Sequence, residues 1–256
     1  MLAAALLASL FGQGGGVLYT PIQVFSGIGF QEAAATSLFL VLVISLSSTL
    51  VFRREHEVDW LMAILLETPT MLGAFLGGIV SHWISSFVLG LILGGLLIVA
   101  AFFMISPLHL RNPNPEARSG RWVWKHTWNG VEYGVNLLVM VPVMLAVGLL
   151  TSMVGIGGGV LKVPVMVLLF GIPMHIAVGS SAFMVGLTAT AGLLGHAAMG
   201  HWNWQASLLL AIPVFLGGQI GSRISVRLGT HQLAHWFGWF LLAVAILILL
   251  RLSGVL

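Results

Sequence analysis

What most restricts this chain is its supply of predominantly apolar segments twenty or more residues long. Six stand out: Ala33–Phe52, Trp60–His82, Ser86–Pro107, Ile176–Met199, Trp204–Leu228 and Gln232–Leu252. As a helix, each covers about 30 Å, the thickness of a bilayer's hydrocarbon core. Only 7% of the 256 residues are charged, where a soluble domain carries about 25%. Mean hydropathy is +1.07. An ordinary water-soluble globule is excluded, and the expected fold is an all-α polytopic membrane protein.

The charges fall into two clusters, Arg53 to Asp59 and Arg111 to Glu132, leaving Glu32, Glu67, Lys162, Arg223, Arg227 and Arg251. The net charge of +3 sits mostly in short loops between apolar segments, the pattern of cytoplasmic membrane loops rather than of nucleic-acid binding. With no cysteine there is no disulfide framework, thiol nucleophile or thiolate metal site. Met1–Leu10 has the look of a signal-peptide core, but no basic residue leads it and the stretch that follows recurs later. It is read as mature structure.

The chain repeats itself. Ser9–Pro21 lies over Ser152–Pro164 at an offset of 143, with eight of thirteen positions identical. With one added residue the match continues: Gly27-Ile28 on Gly171-Ile172, Thr36-Ser37 on Ser180-Ser181, Trp60 on Trp204, Pro69 on Pro213, Gly73 on Gly217 and Gly77 on Gly221. The domains are therefore a first transmembrane repeat, 1–107, a polar Trp-rich linker, 108–134, and a second repeat, 135–256.

Each repeat opens on a glycine-broken unit followed by three long segments. Leu2–Phe11, Val17–Phe25 and Val160–Phe170 are too short to span, and their tips carry Gly14-Gly15-Gly16 and Gly157-Gly158-Gly159. A helix does not run comfortably through three glycines, so re-entrant hairpins or discontinuous helices are expected. Leu137–Met153 is long enough that a complete crossing remains open.

Loop charge orients the repeats. Arg53 and Arg54 follow the first long segment of repeat one, and the next loop, around Ser85, has no Lys or Arg. In repeat two the order reverses: the His201 loop has none, and Arg223 and Arg227 come after it. The positive-inside rule then gives two inverted repeats, with the Arg53 loop and the linker cytoplasmic, provided each glycine-broken unit crosses an even number of times. Inverted repeats with broken helices are the signature of a secondary transporter. In the linker, Trp122, Trp124 and Trp128 read as an interfacial anchor, and Asn129-Gly130 suits a small hairpin.

At the paired motifs Gly12–Pro21 and Gly155–Pro164, Gly-x-Gly-Gly-Gly-x4-Pro, the sequence resembles the sulfite exporter TauE/SafE family. The resemblance covers almost the whole chain. It implies a carrier in the bacterial cytoplasmic (inner) membrane for sulfur-containing anions such as sulfite, thiosulfate, sulfoacetate or other organosulfonates, with no cofactor. Gln13 and Tyr19 stand where the second copy has Ile156 and Lys162, so the two half-sites are chemically unequal.

The residues themselves point to a substrate site. A helix that starts inside a membrane leaves its first amides unpaired and its end partly positive, and glycines let a ligand approach those amides. Gly14, Gly15, Gly16, Gly157, Gly158 and Gly159 are therefore candidate anion contacts; the alternative is close helix packing alone. Lys162 lies three residues past a glycine tip in an apolar run. It needs a partner there, which a bound anion, an interface or Glu67 would supply. Thr36, Ser37, Ser180 and Ser181 occupy equivalent positions, where their hydroxyls serve either sulfonate oxygens or the preceding helical turn. Gln219 is a further cavity-lining candidate. Glu67, two residues before Pro69 and with Ala211 as its repeat partner, is a proton-coupling candidate or an ion-pair partner. No metal site is expected: His196 and His201 are five apart, and no carboxylate lies beside them. An anion channel or a carrier of another solute is the main rival. An intramembrane enzyme is a weaker one, since no Gly-x-Ser-x-Gly element is present.

Overall fold

The computed structural model describes residues 1–9, 16–54, 58–106, 122–128, 130–227 and 230–252. Ten α-helices and one hairpin are described. The first repeat holds α1 (Leu2–Ser9), α2 (Gly16–Phe25), α3 (Phe30–Arg54), α4 (Trp60–Val80), a 3-10 turn at Ser81–Trp83, and α5 (Ser86–Ile105). Strands β1 (Val123–Trp128) and β2 (Val131–Asn136) follow. The remainder is α6 (Leu137–Met153), α7 (Gly159–Leu168), α8 (Met174–Ala198), α9 (Trp204–Arg227) and α10 (Thr230–Leu252).

Five of the described helices are long and apolar enough to cross a membrane: α3, α4 with its 3-10 turn, α5, α8 and α9. The glycine-broken helices are short, α2 and α7 having ten residues each. Of the most apolar windows, 83% of α8 and 61% of α3 are buried, against 39% of α5 and 33% of α9. α8 and α3 are therefore the inner pair. The outer helices turn large apolar side chains outward, among them Phe102, Leu209 and Ile212, a surface that only lipid or a partner covers without penalty.

Local chemistry sets the helix boundaries. Asp59 caps α4 by accepting from the Met62 amide at 3.1 Å, and Asn203 caps α9 by accepting from the Ala206 amide at 3.2 Å. α7 begins differently: Gly158 sits at φ +88 and accepts from the Lys162 amide at 2.9 Å. β1 and β2 pair antiparallel, Trp128 opposite Val131, around Gly130 at φ +78. That is the hairpin the Asn-Gly pair suits; Asn129 itself lies outside the described residues.

The two ends of the bundle differ. At one, the hairpin sits over the starts of α4, α6 and α8, with Tyr133 and Val135 buried against Met62, Leu66, Met140 and Met144. At the other, His82 and His201 bring the end of α4 to the α8–α9 loop, their ring nitrogens 3.1 Å apart. Asn203 there donates to Glu32 at 3.1 Å. Helix α6 reaches from the hairpin to the histidine end, where the Ser152 carbonyl lies 3.1 Å from His196 Nε2.

Repeat-related glycines meet repeat-related partners. A methyl on Gly73 would lie 2.0 Å from the Leu145 carbonyl oxygen, and one on Gly77 2.3 Å from that of Leu149. In the other repeat, Gly217 would clash with Leu2 at 2.8 Å and Gly221 with Leu6 at 2.4 Å. Leu2 and Leu6 precede Leu145 and Leu149 by the same 143 residues that relate the glycine motifs. Each repeat thus packs its glycine-broken first helix on the other repeat: α1 on α9, α6 on α4.

Candidate substrate site

Lys162 stands one turn into α7, and its side chain folds back along the glycine turn that starts the helix. A methyl on Gly158 would lie 3.1 Å from Lys162 Cε and 3.2 Å from Thr151 Oγ1, so only glycine leaves this room. Gly155, Gly157 and Gly158 all have positive φ, +77, +75 and +88, which lets the chain reverse within a few residues. By helix geometry, the opening amides of α7 have no partner within the helix and face this turn.

The Lys162 ammonium is fully buried. It donates to Glu67 Oε2 at 2.7 Å and to the Thr188 hydroxyl. Thr188 donates in turn to the other Glu67 oxygen. Three helices, α4, α7 and α8, therefore each contribute one member of a closed polar triad whose relative exposures are 0–1%. Of the partners open to Lys162 from sequence, the structure has Glu67. Burying two charges is tolerated here because they pair and Thr188 satisfies more of their hydrogen-bonding capacity.

The first glycine motif reaches the second. Gly14 and Gly15 lie outside the described residues. Gly16 opens α2, where a methyl would lie 2.5 Å from the Ile156 carbonyl oxygen and 2.6 Å from that of Gly155. Thr20 also donates to the Gly155 carbonyl at 3.4 Å. At Gly16, then, the absent side chain permits backbone-to-backbone packing of one broken unit on the other.

The remaining candidate residues are dispersed. Ser37 accepts from Gln23 of α2 at 3.1 Å, with Thr36 buried beside it. Ser180 accepts from the Asp59 amide at 3.0 Å, toward the hairpin end, and Ser181 donates to the Val178 carbonyl at 3.0 Å. Gln219 donates to the Ser47 carbonyl at 2.8 Å and accepts from Arg223 at 3.4 Å. None of these hydrogen bonds joins the triad.

Comparison with known proteins decides the family. The model described as Sulfite exporter TauE/SafE matches residues 1–248. The chain belongs to that family. It is 30% identical over 242 residues to Probable membrane transporter protein YunE of Bacillus subtilis, covering 91% of this chain and 88% of that one. A probable membrane transporter protein of Methanocaldococcus jannaschii is 26% identical over 244 residues, covering 89% and 85%. One from Xylella fastidiosa is 28% identical over 247, covering 94% and 89%. No solved structure matches significantly. This TauE/SafE protein is thus a multi-pass protein of a membrane-transporter family.

Two buried polar groups in this transporter are not legible from its sequence. Thr188 is one of several hydroxyls in an apolar helix, and its repeat partner is Ile44, so duplication gave no signal. The second group surrounds Asp59. Its carboxylate is buried, accepts from Tyr133 of the hairpin, and lies 3.1 Å from His126 Nε2. Burial, together with the Asp59 carboxylate, pushes the Tyr133 phenol well above its ordinary 10.0. An acid in a charged loop gives no hint that a hairpin seventy residues on will close over it. The signal available was the repeat itself, which places Asn203 at the equivalent position.

Proposed function

We propose that this protein is a secondary carrier that exports a small sulfur-containing anion, such as sulfite, thiosulfate or an organosulfonate, across the bacterial cytoplasmic membrane. The observation that carries this reading is Lys162: a buried ammonium held against a glycine turn, beside the amides that open α7. Charge and amide donors together suit an oxyanion with several acceptor oxygens. Thr188 and Gly157–Gly159 would complete its shell, with Gly16 of the first motif packed alongside. Thr36, Ser37, Ser180, Ser181 and Gln219 would serve the approaches, and Glu67 would couple transport to protons.

Alternating access would come from two inverted repeats rocking about this midplane site. The reciprocal glycine contacts, Gly73 on Leu145 and Gly217 on Leu2, support that reading, as does the Arg53 loop at the hairpin end. With that loop and the linker cytoplasmic, the hairpin faces the cell interior. The full burial of the triad favours a carrier over a permanently open channel.

The test is transport and binding in vesicles. Purified protein should move at least one of sulfite, thiosulfate and methanesulfonate. Lys162→Ala should remain monodisperse yet bind that anion at least tenfold more weakly. Unchanged affinity would remove the lysine from the site, and movement of an uncharged solute alone would overturn the anion assignment.

A further inference from the structure

We infer that the carrier takes one singly charged anion together with one proton, with the proton held on Glu67. This rests on the reading of Lys162 as the anion's ligand. It comes from counting charge inside the bundle.

Among the described residues, the ionised groups at the triad are Lys162 and Glu67, and they cancel. Helix α6, which packs against α4, has no ionisable side chain between Leu137 and Met153. Helix α8 offers Thr188 at the triad, with His196 eight residues further on and His175 thirteen residues before it. On α4 itself, Asp59 lies eight residues from Glu67, about 12 Å along the helix. It is engaged with Tyr133 and His126.

An anion that binds the ammonium competes with the Glu67 carboxylate for its single positive charge. If Glu67 stays ionised, a carboxylate is left in an apolar interior without its counter-charge, beside a second negative charge. Such an arrangement is costly in an apolar interior. Uptake of one proton from water onto a Glu67 carboxylate oxygen removes the problem. No other bond is made or broken. Thr188 suits the exchange, since its hydroxyl can turn to accept from the new carboxylic acid or donate to the anion.

The count then selects the substrate. With Lys162 charged, Glu67 protonated and a monoanion bound, the site is neutral, as it is when empty. A dianion leaves one negative charge buried and uncompensated. The preferred class is therefore the sulfonate monoanion, or hydrogensulfite rather than sulfite. Because both empty and loaded forms are neutral, the cycle moves no net charge, so the membrane potential does not act on it and its direction follows the combined gradients of the anion and the proton.

The experiment uses the full chain in proteoliposomes containing a trapped pH dye, with methanesulfonate as monoanion probe and thiosulfate as dianion probe. One proton should accompany each methanesulfonate. Imposing about 100 mV should leave the rate within twofold, where moving one net charge would allow up to about 50-fold. Thiosulfate should move at least tenfold more slowly. In Glu67→Gln the carboxylate is gone, so methanesulfonate should still bind, its movement should no longer carry protons, and potential dependence should appear. Methanesulfonate movement without protons, steep potential dependence in the unmodified protein, or thiosulfate moved equally fast would overturn the inference while leaving the anion carrier standing. Failure of every anion to bind or move would remove both. The wild-type proton count and potential dependence decide the matter even if Glu67→Gln does not fold.

Discussion

Lys162 Nζ lies 2.7 Å from Glu67 Oε2, though the two residues are 95 apart in the chain and both are buried. A pair of this kind is costly to break and cheap to replace. Removing one partner strands a buried charge, at about 3–5 kcal/mol, whereas exchanging both for apolar groups of similar size is often neutral. Lys162→Met and Glu67→Leu should each lower the thermal midpoint in detergent by several degrees. The double variant should recover most of the loss while remaining inactive in transport. A double variant less stable than either single one would refute the pairing energetics.

The glycine contacts predict a position-dependent series. Gly73→Ala and Gly217→Ala each drive a methyl into backbone, within 2.0 Å of Leu145 and 2.8 Å of Leu2 respectively. Overpacking of this kind costs about 1–3 kcal/mol. Gly95→Ala meets nothing within 4 Å and should be neutral or slightly stabilising. Thermal unfolding of the three variants side by side is the check, and equal effects at all three positions would contradict the packing.

At the hairpin end, Tyr133→Phe deletes the hydroxyl that donates to buried Asp59. Leaving that carboxylate short of a donor should cost about 1–3 kcal/mol and expose the hairpin to protease earlier than in the wild type. The sign with pH follows from the raised phenol. The tyrosine's contribution is complete below the free phenol's 10.0 and declines as pH rises past it, because only the unfolded chain ionises there. Limited proteolysis from pH 8 to 11 on both proteins measures this. Identical curves would remove Tyr133 from the closure.

At the opposite end, His201 is held below the usual histidine range by burial, with His82 close by adding to the shift. A histidine kept neutral in the fold stabilises it above its ordinary 6.5, and that contribution fades as pH falls through that value. The wild type should lose thermal stability between pH 7.5 and 5.5, and His201→Asn should lose less. The effect is modest because the ring is only partly buried; an equal loss in both proteins would exclude the pair as its source.

Much of the fold was legible because membrane helices are written in composition. The six long helices begin and end within a few residues of where apolar length and the loop charges put them, since lipid forces each segment to satisfy its own backbone. The glycine break at Gly155–Gly158 and the Gly130 turn follow from local conformational preference. What the candidate site would contain was less legible. Thr36, Ser37, Ser180 and Ser181 were marked by their repetition, yet the hydroxyl in the triad is Thr188, whose repeat partner is an isoleucine. Repetition reports ancestry and symmetric packing, whereas a single off-axis contact obeys neither.

By itself, then, the chain determined a duplicated, glycine-broken helical membrane protein and marked Lys162 and Glu67 as charges in need of a partner. Hydropathy, helix breaking and repetition are properties of neighbouring residues or of a fixed offset, so one dimension suffices to read them. Only the tertiary structure decided that these two charges meet through Thr188, and that Tyr133 and His126 close over Asp59. Such contacts join helices far apart in sequence. They are chosen by how α4, α7 and α8 pack, and by the high cost of leaving any one buried charge alone.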